Sequence, residues 1–487
     1  MGERSEIRFV LNGTDVVIQD VAASQTLLDY LRLERRLTGS KEGCAEGDCG
    51  ACTVLVGRLH NGLLKYESVN ACIRFMASLD ACHVVTIEHL RGQDGGLHPI
   101  QQAMVDYHGS QCGFCTPGFI MSLYGLWMEN SEPSVKQVET ALQGNLCRCT
   151  GYEPIIKAAM ALGAYGSPAA DYLNTERLSI IQRLQNLKDG RRIVTGPEDN
   201  LAIIPANTDD LAEVLISWPK ATIVAGSTDV GLWVTKFLRN IGPAVFIGHL
   251  DELKSIKLTK DALEIGAGVT YTESLSAIEK AFPHLAPYWD RIAGQQVRNM
   301  GTIGGNIANG SPIGDTPPVL IALDASVTLR KGGERRTMPL QDFFIDYGKQ
   351  DRAPEEFVET ISIPLPAEGQ MDAAYKISKR RDEDISSVAA GISVTVENGT
   401  IVDCRMAFGG MAATPKRASS AEAALKGKRW ELASFEAAAN VLSDDFTPLS
   451  DWRASAEYRM ISARNLLTRF FLSFDETTVE PVELASA

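Results

Sequence analysis

The sequence predicts an α+β protein built from several domains, and three observations lead to this prediction. Its 487 residues exceed the ~100–200 residues of one typical domain, so roughly two to five domains are expected. Hydrophobic residues make up 45% of the chain and charged residues 22%, which is typical of a globular protein. Strand-type and helix-type apolar patterns both occur, in separate stretches.

Charge and cysteine content narrow the possible partners and ligands. A net charge of −14 argues against a nucleic-acid surface or a patch that binds anionic membranes. No apolar run approaches the ~20 residues that span a bilayer, and Met1–Gly13 lacks the apolar stretch of a signal peptide, so we expect a cytoplasmic protein. Nine of the ten cysteines lie before residue 150, and in a reducing compartment they favour metal ligation over disulfides.

The first stretch predicts a small β-grasp unit. Asn12-Gly13 separates two apolar runs and is a strong hairpin signal. Ser24 is a candidate N-cap for a helix that carries Leu27, Leu28 and Leu31. The Gly/Cys-rich stretch Gly39–Cys52 then leads into a strand at Thr53–Val56.

The second stretch predicts a bundle of four helices. Pro99 suits a first helical turn, and Ile100, Met104 and Tyr107 mark one side of that helix. Breaks at proline and polar residues delimit three more helices, at Thr116–Asn130, Val135–Gln143 and Pro154–Ala164.

Beyond the bundle the pattern changes twice. Residues 165–196 are expected to be a linker, although a packed helix is an alternative because Leu178, Ile181 and Leu184 are periodic. Alternating strand and helix signals begin near Ile203. A further α+β unit is expected from Ala374–Arg417 and a helical Ser420–Leu442, and Glu476–Ala487 is expected to be a frayed tail.

The first cysteine group follows the spacing C-x4-C-x2-C with a distant fourth thiol, which is typical of plant-type two-iron clusters. Its members are Cys44, Cys49, Cys52 and Cys72. Gly43, Gly47 and Gly50 allow the loop to wrap closely and to point amide N–H groups inward. A structural zinc site is the alternative, since four thiolates also suit zinc.

The second cysteine group consists of Cys112, Cys115, Cys147 and Cys149. Because two helices separate the pairs, an antiparallel helix pair can return the chain so that the four thiols meet. Two clusters in series would suit single-electron transfer. Cys82 and Cys404 have no ligand-spaced partner and are expected to be buried, inert thiols.

Two glycine-rich loops are candidate ligand sites. Ala221–Gly226 reads as a strand, after which Ser227 can cap a helix whose free N–H groups suit a pyrophosphate. Gly301–Asn306 allows close approach of a ligand, and Asp315 could hydrogen-bond a hydroxyl. Neither loop is a Rossmann or Walker A motif, and a simple turn is the alternative.

Three cysteine-containing motifs resemble the iron–sulfur portion of molybdenum hydroxylases. They are Gly43–Thr53, Gln111–Gly118 and Gly144–Tyr152. The loops Ile223–Val230 and Thr302–Asn306, with Ser311–Asp315, resemble the vanillyl-alcohol-oxidase-type flavin domain of the same family. The resemblance covers nearly the whole chain. It extends to the iron–sulfur and flavin domains of the family and does not include the molybdenum domain.

This resemblance implies five segments. They are a plant-type 2Fe-2S ferredoxin-like domain at 1–90, a helical 2Fe-2S domain at 91–165, a linker at 166–196, an FAD-binding domain at 197–369 and a C-terminal flavoprotein domain at 370–487. The cysteines of the first group would hold the cluster nearer the flavin and those of the second group the cluster nearer the molybdenum, with Gln111 and Cys149 facing the pterin. The implied FAD contacts are Ile223, Val224, Ala225, Gly226, Ser227, Thr228, Asp229, Val230, Thr302, Ile303, Gly304, Gly305, Asn306, Asp315 and Lys376.

The resemblance also implies a role without substrate-oxidising residues in this chain. A large partner subunit with a molybdenum cofactor would oxidise hypoxanthine or xanthine, and electrons would pass through two 2Fe-2S clusters to FAD and on to NAD+, in a heterotetramer of two small and two large chains. Lys376 would lie near the isoalloxazine, while Lys379–Arg381 is either a related cationic group or a solvated basic turn. Ile292 departs from the aromatic residue of mammalian members. An aldehyde or N-heterocycle substrate, and a zinc-stabilised binding protein, are the alternatives.

Overall fold

The fold comes from a computed structural model that describes residues 2–91 and 95–475. The chain forms two compact units. The first contains Met1–Lys254, Thr270–Glu273 and Ala293–Thr302, and the second contains Ser255–Val269, Ser274–Ile292 and Ile303–Ala487. The tail expected at Glu476–Ala487 lies outside the described residues.

A mixed five-stranded sheet opens the first unit, with the chain order of its strands being second, first, fifth, third and fourth. The strands are Glu6–Leu11, Thr14–Gln19, Thr53–His60, Leu63–Asn70 and His83–Val85. The predicted hairpin is confirmed, and Asn12 takes the positive φ of 56° that its turn requires. The predicted helix begins later than expected, because Thr26 rather than Ser24 is the N-cap. It is α-helical at Leu27–Asp29 and continues as a π-helix at Tyr30–Glu34.

The four predicted helices of the second stretch are confirmed. They are Pro99–Asp106, Thr116–Glu129, Val135–Leu142 and Glu153–Met160. Capping boxes begin two of them, at His98 with Gln101 and at Ser134 with Gln137. The long helix buries one apolar face, which consists of Phe119, Ile120, Leu123, Tyr124 and Trp127. Tyr107, in contrast, lies past the end of its helix and is 39% exposed.

The remainder of the first unit contains a four-stranded sheet and short helices. In sheet order, the strands are Ile193–Thr195, Ala202–Ile204, Ala244–Phe246 and Thr222–Val224. The helices are Tyr172–Thr175, Arg177–Leu187, Thr208–Ser217, Val230–Thr235 and Gln295–Met300. The region expected to be a linker therefore contains a helix, which buries Ile180 and Leu184 and leaves Leu178 82% exposed.

The second unit contains a five-stranded sheet. In sheet order, its strands are Ile256–Leu258, Ala262–Gly266, Phe357–Pro364, Ser326–Lys331 and Glu334–Pro339. A separate two-stranded ribbon pairs Phe344–Asp346 with Lys349–Gln350. The helices of this part of the chain are Tyr271–Ala281, Ala286–Trp289, Ile303–Asn309, Thr316–Ala322 and Leu340–Phe343.

The C-terminal part of the second unit packs helices on an antiparallel sheet, as predicted. The strands are Gln370–Ile377, Val388–Glu397, Thr400–Gly409 and Lys416–Arg417, and the helices are Ser419–Leu425, Leu432–Asn440, Leu442–Asp445 and Ala456–Phe474. The expectation of one continuous helix over Ser420–Leu442 was wrong, because the chain leaves the helix after Leu425 and Gly427 adopts a φ of 80°. In the part of the chain that the structure describes, no helix has the length and apolar character needed to cross a membrane.

Candidate metal and cofactor sites

The first cysteine group meets at one end of a β-hairpin. The strands Thr53–His60 and Leu63–Asn70 pair antiparallel with Thr53 opposite Asn70, so the residues flanking them, Cys52 and Cys72, come together. The Cys44 sulfur lies within hydrogen-bonding reach of the thiols of Cys49 and Cys72, and the Cys52 sulfur within reach of that of Cys72. The structure thus brings all four predicted side chains into one group.

Backbone amides point at this group. The N–H groups of Glu46 and Cys49 donate to the Cys44 sulfur at 3.5 and 3.4 Å. Hydrogen bonds from the Cys49 and Cys72 thiols, and then from these amides, hold the pKa of Cys44 well below its usual range. A loop that presents amide hydrogens to its sulfurs favours the thiolate form, which is the form that ligates iron.

The second cysteine group meets where two helices of the bundle begin. Cys115 is the N-cap of the helix Thr116–Glu129, and Cys147 and Cys149 precede the helix that starts at Glu153. Cys112 lies within hydrogen-bonding reach of Cys149, and Cys115 within reach of Cys147. The helical return predicted from the sequence therefore does bring the two pairs together.

Both groups suit two-iron clusters in donor type, since such clusters are held by four cysteine thiolates. In residues 2–91 and 95–475, no three His, Cys, Asp or Glu side chains converge as ligands of one metal ion. The other two cysteines, Cys82 and Cys404, are each 4% exposed, which confirms the expectation of buried thiols.

The two cysteine loops contact each other directly. The Leu146 N–H donates to the carbonyl of Cys49 at 3.0 Å, and the Asn145 Nδ2 donates to the carbonyl of Gly50 at 3.2 Å. The packing is so close that a Cβ on Gly50 would lie 2.0 Å from the carbonyl oxygen of Gly144. A ligand of the first group is therefore one hydrogen bond away from the residue that precedes Cys147.

The first candidate flavin loop, Ile223–Val230, begins inside the strand Thr222–Val224, which is shorter than the predicted strand Ala221–Gly226. Ser227 does not cap the helix that follows. That helix spans Val230–Thr235, and the Ser227 Oγ donates instead to the carbonyl of Ile73 at 2.7 Å. The helix is short, and Phe237 and Leu238 lie beyond its end and are 62% and 86% exposed. The hydrogen bond to Ile73, which is distant in sequence, thus replaces the capping role that the local sequence predicted for Ser227.

The second candidate loop begins with Thr302 and continues into the helix Ile303–Asn309. Two of its amides already have protein acceptors, because Ile303 N–H donates to Val269 and Gly304 N–H to Ala267. A Cβ on Gly304 would lie 2.4 Å from the Ala267 side chain, so this glycine is required for packing.

Asp315 and Lys376 form a buried ion pair in the second unit. The Lys376 Nζ lies 2.7 Å from the Asp315 Oδ2, and the lysine side chain is fully buried. The Ser386 hydroxyl donates to the other carboxylate oxygen at 2.5 Å, and the Lys376 Nζ donates to Ser386 at 3.0 Å. Asp315 is thus less free to bind a hydroxyl than the sequence suggested. Lys379, Arg380 and Arg381 are exposed, as a solvated turn would be.

Sequence reasoning missed three polar side chains around the cysteine loops. The Tyr152 hydroxyl accepts the Cys147 N–H at 3.0 Å, and the Thr150 hydroxyl donates to the Cys147 sulfur at 3.3 Å. Gln296, which is fully buried, donates to Asn145 at 2.9 Å. The first two lie inside the motif Gly144–Tyr152 and could have been found there, whereas no local signal marks Gln296.

Four family models match the chain. They are a 2Fe-2S iron–sulfur cluster binding domain at residues 9–75, a 2Fe-2S binding domain at 86–160, an FAD binding domain in molybdopterin dehydrogenase at 198–366, and a CO dehydrogenase flavoprotein C-terminal domain at 373–474. These matches confirm the two 2Fe-2S clusters and the FAD expected from the sequence, and they speak against zinc.

Curated relatives agree with these domains. Xanthine dehydrogenase from Emericella nidulans is 32% identical over 99% of this chain and 39% of its own length, and xanthine dehydrogenase/oxidase from Rattus norvegicus is 34% identical over 98% and 39%. The chain therefore spans about two fifths of the length of these relatives.

Solved structures with the same fold extend the comparison to other substrates. A chain of carbon monoxide dehydrogenase from Hydrogenophaga pseudoflava is 28% identical, with a TM-score of 0.52 over 55% of this chain and 93% of its own. A chain of quinoline 2-oxidoreductase from Pseudomonas putida 86 is 26% identical, with a TM-score of 0.50 over 55% and 94%.

Proposed function

The chain belongs to the molybdenum hydroxylase family, as its iron–sulfur and flavin part, and from this premise we propose that it is the small subunit of a xanthine dehydrogenase. It would receive electrons from a molybdenum cofactor in a large partner chain during oxidation of hypoxanthine and xanthine to urate. When bound, the clusters supply one-electron steps, and FAD joins them to the two-electron reduction of NAD+.

The observation that carries this proposal is the contact between the two cysteine loops. Eight thiols in two groups of four, joined by the hydrogen bond from Leu146 to the Cys49 carbonyl, provide a route for single electrons rather than two isolated structural sites. The amides of Glu46 and Cys49 would stabilise negative charge on the first cluster.

Exposure at the second group supports a partner chain at that point. Cys112 and Cys149 are exposed, and the adjacent apolar side chains of Phe114 and Tyr152 are 46% and 37% exposed. Apolar side chains beside exposed metal ligands are typical of a surface that a protein partner covers. We place the large subunit there, with Gln111 and Cys149 nearest its cofactor, in a heterotetramer of two small and two large chains.

The flavin contacts stay with the residues that the family resemblance assigns. The loops Ile223–Val230 and Thr302–Asn306 would hold FAD, and Lys376 would place a cation beside the isoalloxazine. Asp315 forms an ion pair with that cation, since its carboxylate lies 2.7 Å from the lysine nitrogen. The role of Asp315 is therefore to fix the direction of Lys376 rather than to bind a hydroxyl alone.

The proposal is tested by purifying the chain alone and with its large subunit. We expect about four irons and about one FAD per chain, no xanthine oxidation by the isolated chain, and NAD+-dependent urate formation by the complex. Urate formation by this chain alone would contradict the proposal. Oxidation of carbon monoxide, an aldehyde or an N-heterocycle instead of xanthine would keep the electron-transfer role and replace the substrate, and oxygen use in place of NAD+ would replace the acceptor.

A further inference from the structure

The side-chain amide of Gln296 lies at the junction of the two cysteine loops. Gln296 is fully buried, on the short helix Gln295–Met300. Its Nε2 lies 2.9 Å from the Asn145 Oδ1, 3.1 Å from the Ser122 Oγ and 3.2 Å from the Thr53 Oγ1. The two hydrogens of this nitrogen are thus shared among three acceptors that belong to three different segments of the first unit.

Each of these acceptors is close in sequence to a cluster ligand. Thr53 follows Cys52 directly, Asn145 stands two residues before Cys147, and Ser122 lies in the helix that begins after Cys115. Asn145 also donates to the Gly50 carbonyl at 3.2 Å. Gln296 therefore contacts the loop of the first cluster and the loop of the second cluster at once.

Proton accounting fixes the orientation of the Gln296 amide. The hydroxyl of Ser122 donates to the Asn145 Oδ1 at 2.6 Å, and the hydroxyl of Thr53 donates to the Gly50 carbonyl at 2.6 Å, so both present lone pairs to Gln296. A flipped amide would place its oxygen against three acceptors. The nitrogen must therefore face this network.

The opposite end of the amide has no hydrogen-bond partner among residues 2–91 and 95–475. The Gln296 Oε1 is buried there, and it lies 1.8 Å from the position of a Cβ on Gly144. An unsatisfied buried acceptor is unfavourable, so this one requires a reason. Docking of the helix is not that reason, because Asn299 already donates to the Ser68 carbonyl at 2.8 Å and Arg298 to Gln143 at 2.6 Å.

We propose that Gln296 is a positioning residue for electron transfer between the two clusters. It holds the Gly50–Thr53 segment and Asn145 at one spacing, and it places an amide dipole at the junction of the two cysteine loops. The potentials of clusters held by these loops would depend on such hydrogen bonds and dipoles. This inference rests on the proposed electron-transfer function, but it does not depend on which substrate the partner oxidises.

The test compares Gln296→Met with Gln295→Met in the full chain loaded with iron and flavin. Methionine keeps the volume and removes the amide. The neighbouring Gln295 is a matched control, because its amide bonds to Thr272, Asn299 and Arg298, none of which belongs to a cysteine loop. The readouts are iron content, the midpoint potential of each cluster, and the magnetic interaction of the two reduced clusters by electron paramagnetic resonance.

We expect Gln296→Met to retain about four irons and to change the equilibrium distribution of one electron between the clusters by up to about tenfold, which is about 59 mV for a one-electron couple. The magnetic interaction should change with it, and Gln295→Met should match the wild type in both. Potentials and magnetic interaction that are the same in both variants would overturn the proposal, even if Gln296→Met is less stable.

A second variant keeps the proposal testable if Gln296→Met fails to fold. Ser122→Ala removes one acceptor of Gln296 and the donor to Asn145 within a helix that tolerates alanine. A smaller shift of the potentials would support the proposal, and wild-type potentials would overturn it. Absence of iron–sulfur signals from the wild-type chain would instead contradict the proposed function itself.

Discussion

The two cysteine groups each contain four thiols but differ in exposure. In the first group Cys52 and Cys72 are 2% and 3% exposed and the other two thiols are half-buried. In the second group Cys112 and Cys149 are exposed, and only Cys147 is buried. Two ligands of the first group flank the paired strands of a hairpin, while the second group is formed by residues that precede two helices. Identical ligands can therefore serve as an interior centre and as a surface centre, depending on the element that presents them.

The difference suggests a division of roles. A centre that receives electrons from a partner chain must reach the surface, whereas a centre that passes them on within the chain gains from shielding. Burial also strengthens the effect of each amide on the first cluster, because hydrogen bonds are stronger in a low-dielectric surrounding. Four predictions test this comparison.

The largest effect is expected when a ligand of the buried group is removed. Cys52→Ser replaces a buried thiolate with a poor iron ligand, so the iron content should fall from about four to about two per chain, and one of the two electron paramagnetic resonance signals should vanish. Cys404→Ser changes another buried thiol and should retain all the iron. Four irons in Cys52→Ser would show that this residue is not a ligand.

An iron chelator should remove the two clusters at different rates. Because Cys112 and Cys149 are exposed and Cys52 and Cys72 are buried, a soluble iron chelator should remove the second cluster several-fold faster than the first. The signal that survives partial treatment should be the one that Cys52→Ser lacks. Loss of both signals at one rate would mean that burial does not distinguish the centres.

A pair of glycine substitutions compares the packing of the two loops. Gly50 has a φ of 67° and its Cβ would lie 2.0 Å from the Gly144 carbonyl, whereas Gly113 has a φ of 82° and has no atom within 4 Å of its Cβ position. Gly50→Ala should lower the free energy of unfolding by about 3 kcal/mol, from strain and overlap together, and Gly113→Ala by about 1 kcal/mol, from strain alone. Denaturant unfolding followed by circular dichroism measures both, and equal losses would contradict the difference in packing.

The smallest effect concerns the loss of folding stability in acid through the buried side chain of His83. Burial lowers the pKa of His83 to about 4, and its ring bonds the Tyr66 hydroxyl at 2.7 Å and the Asn12 carbonyl at 2.6 Å. The unfolded chain takes up this proton near pH 6.5 and the folded chain near pH 4, so stability that is present above about pH 6.5 is lost as the pH falls towards 4.

Between about pH 7 and about pH 5 the loss from His83 should be about 2 kcal/mol. Urea unfolding at the two pH values measures it, and His83→Gln should reduce the loss by that amount. Burial also lowers the pKa of His249 to about 4, so part of the acid sensitivity should persist in the variant. An unchanged pH dependence in His83→Gln would contradict the assignment.

Features encoded by neighbouring residues were predictable from the sequence. The turn at Asn12 and the helix that follows Ser134 depend on residues within four positions of each other, and both formed as expected. The cysteine groups were also recognisable, because ligand spacing within each loop is local.

Features decided by distant contacts were not predictable. Ser227 bonds to Ile73, and Lys376 pairs with Asp315, across 154 and 61 positions respectively. The buried role of Gln296 depends on Thr53, which is 243 positions away. Local periodicity carries no information about such pairs, because they exist only after separate elements have packed.

The glycines at the junction of the two loops have a further consequence. Positions where a Cβ on Gly118 or Gly50 would lie within about 2 Å of a facing carbonyl oxygen leave no room for a layer of water between the loops. An electron that crosses a junction without water reorients few solvent dipoles. The reorganisation energy of the electron transfer is therefore small. The absence of two side chains would thereby accelerate a reaction in which neither glycine takes part.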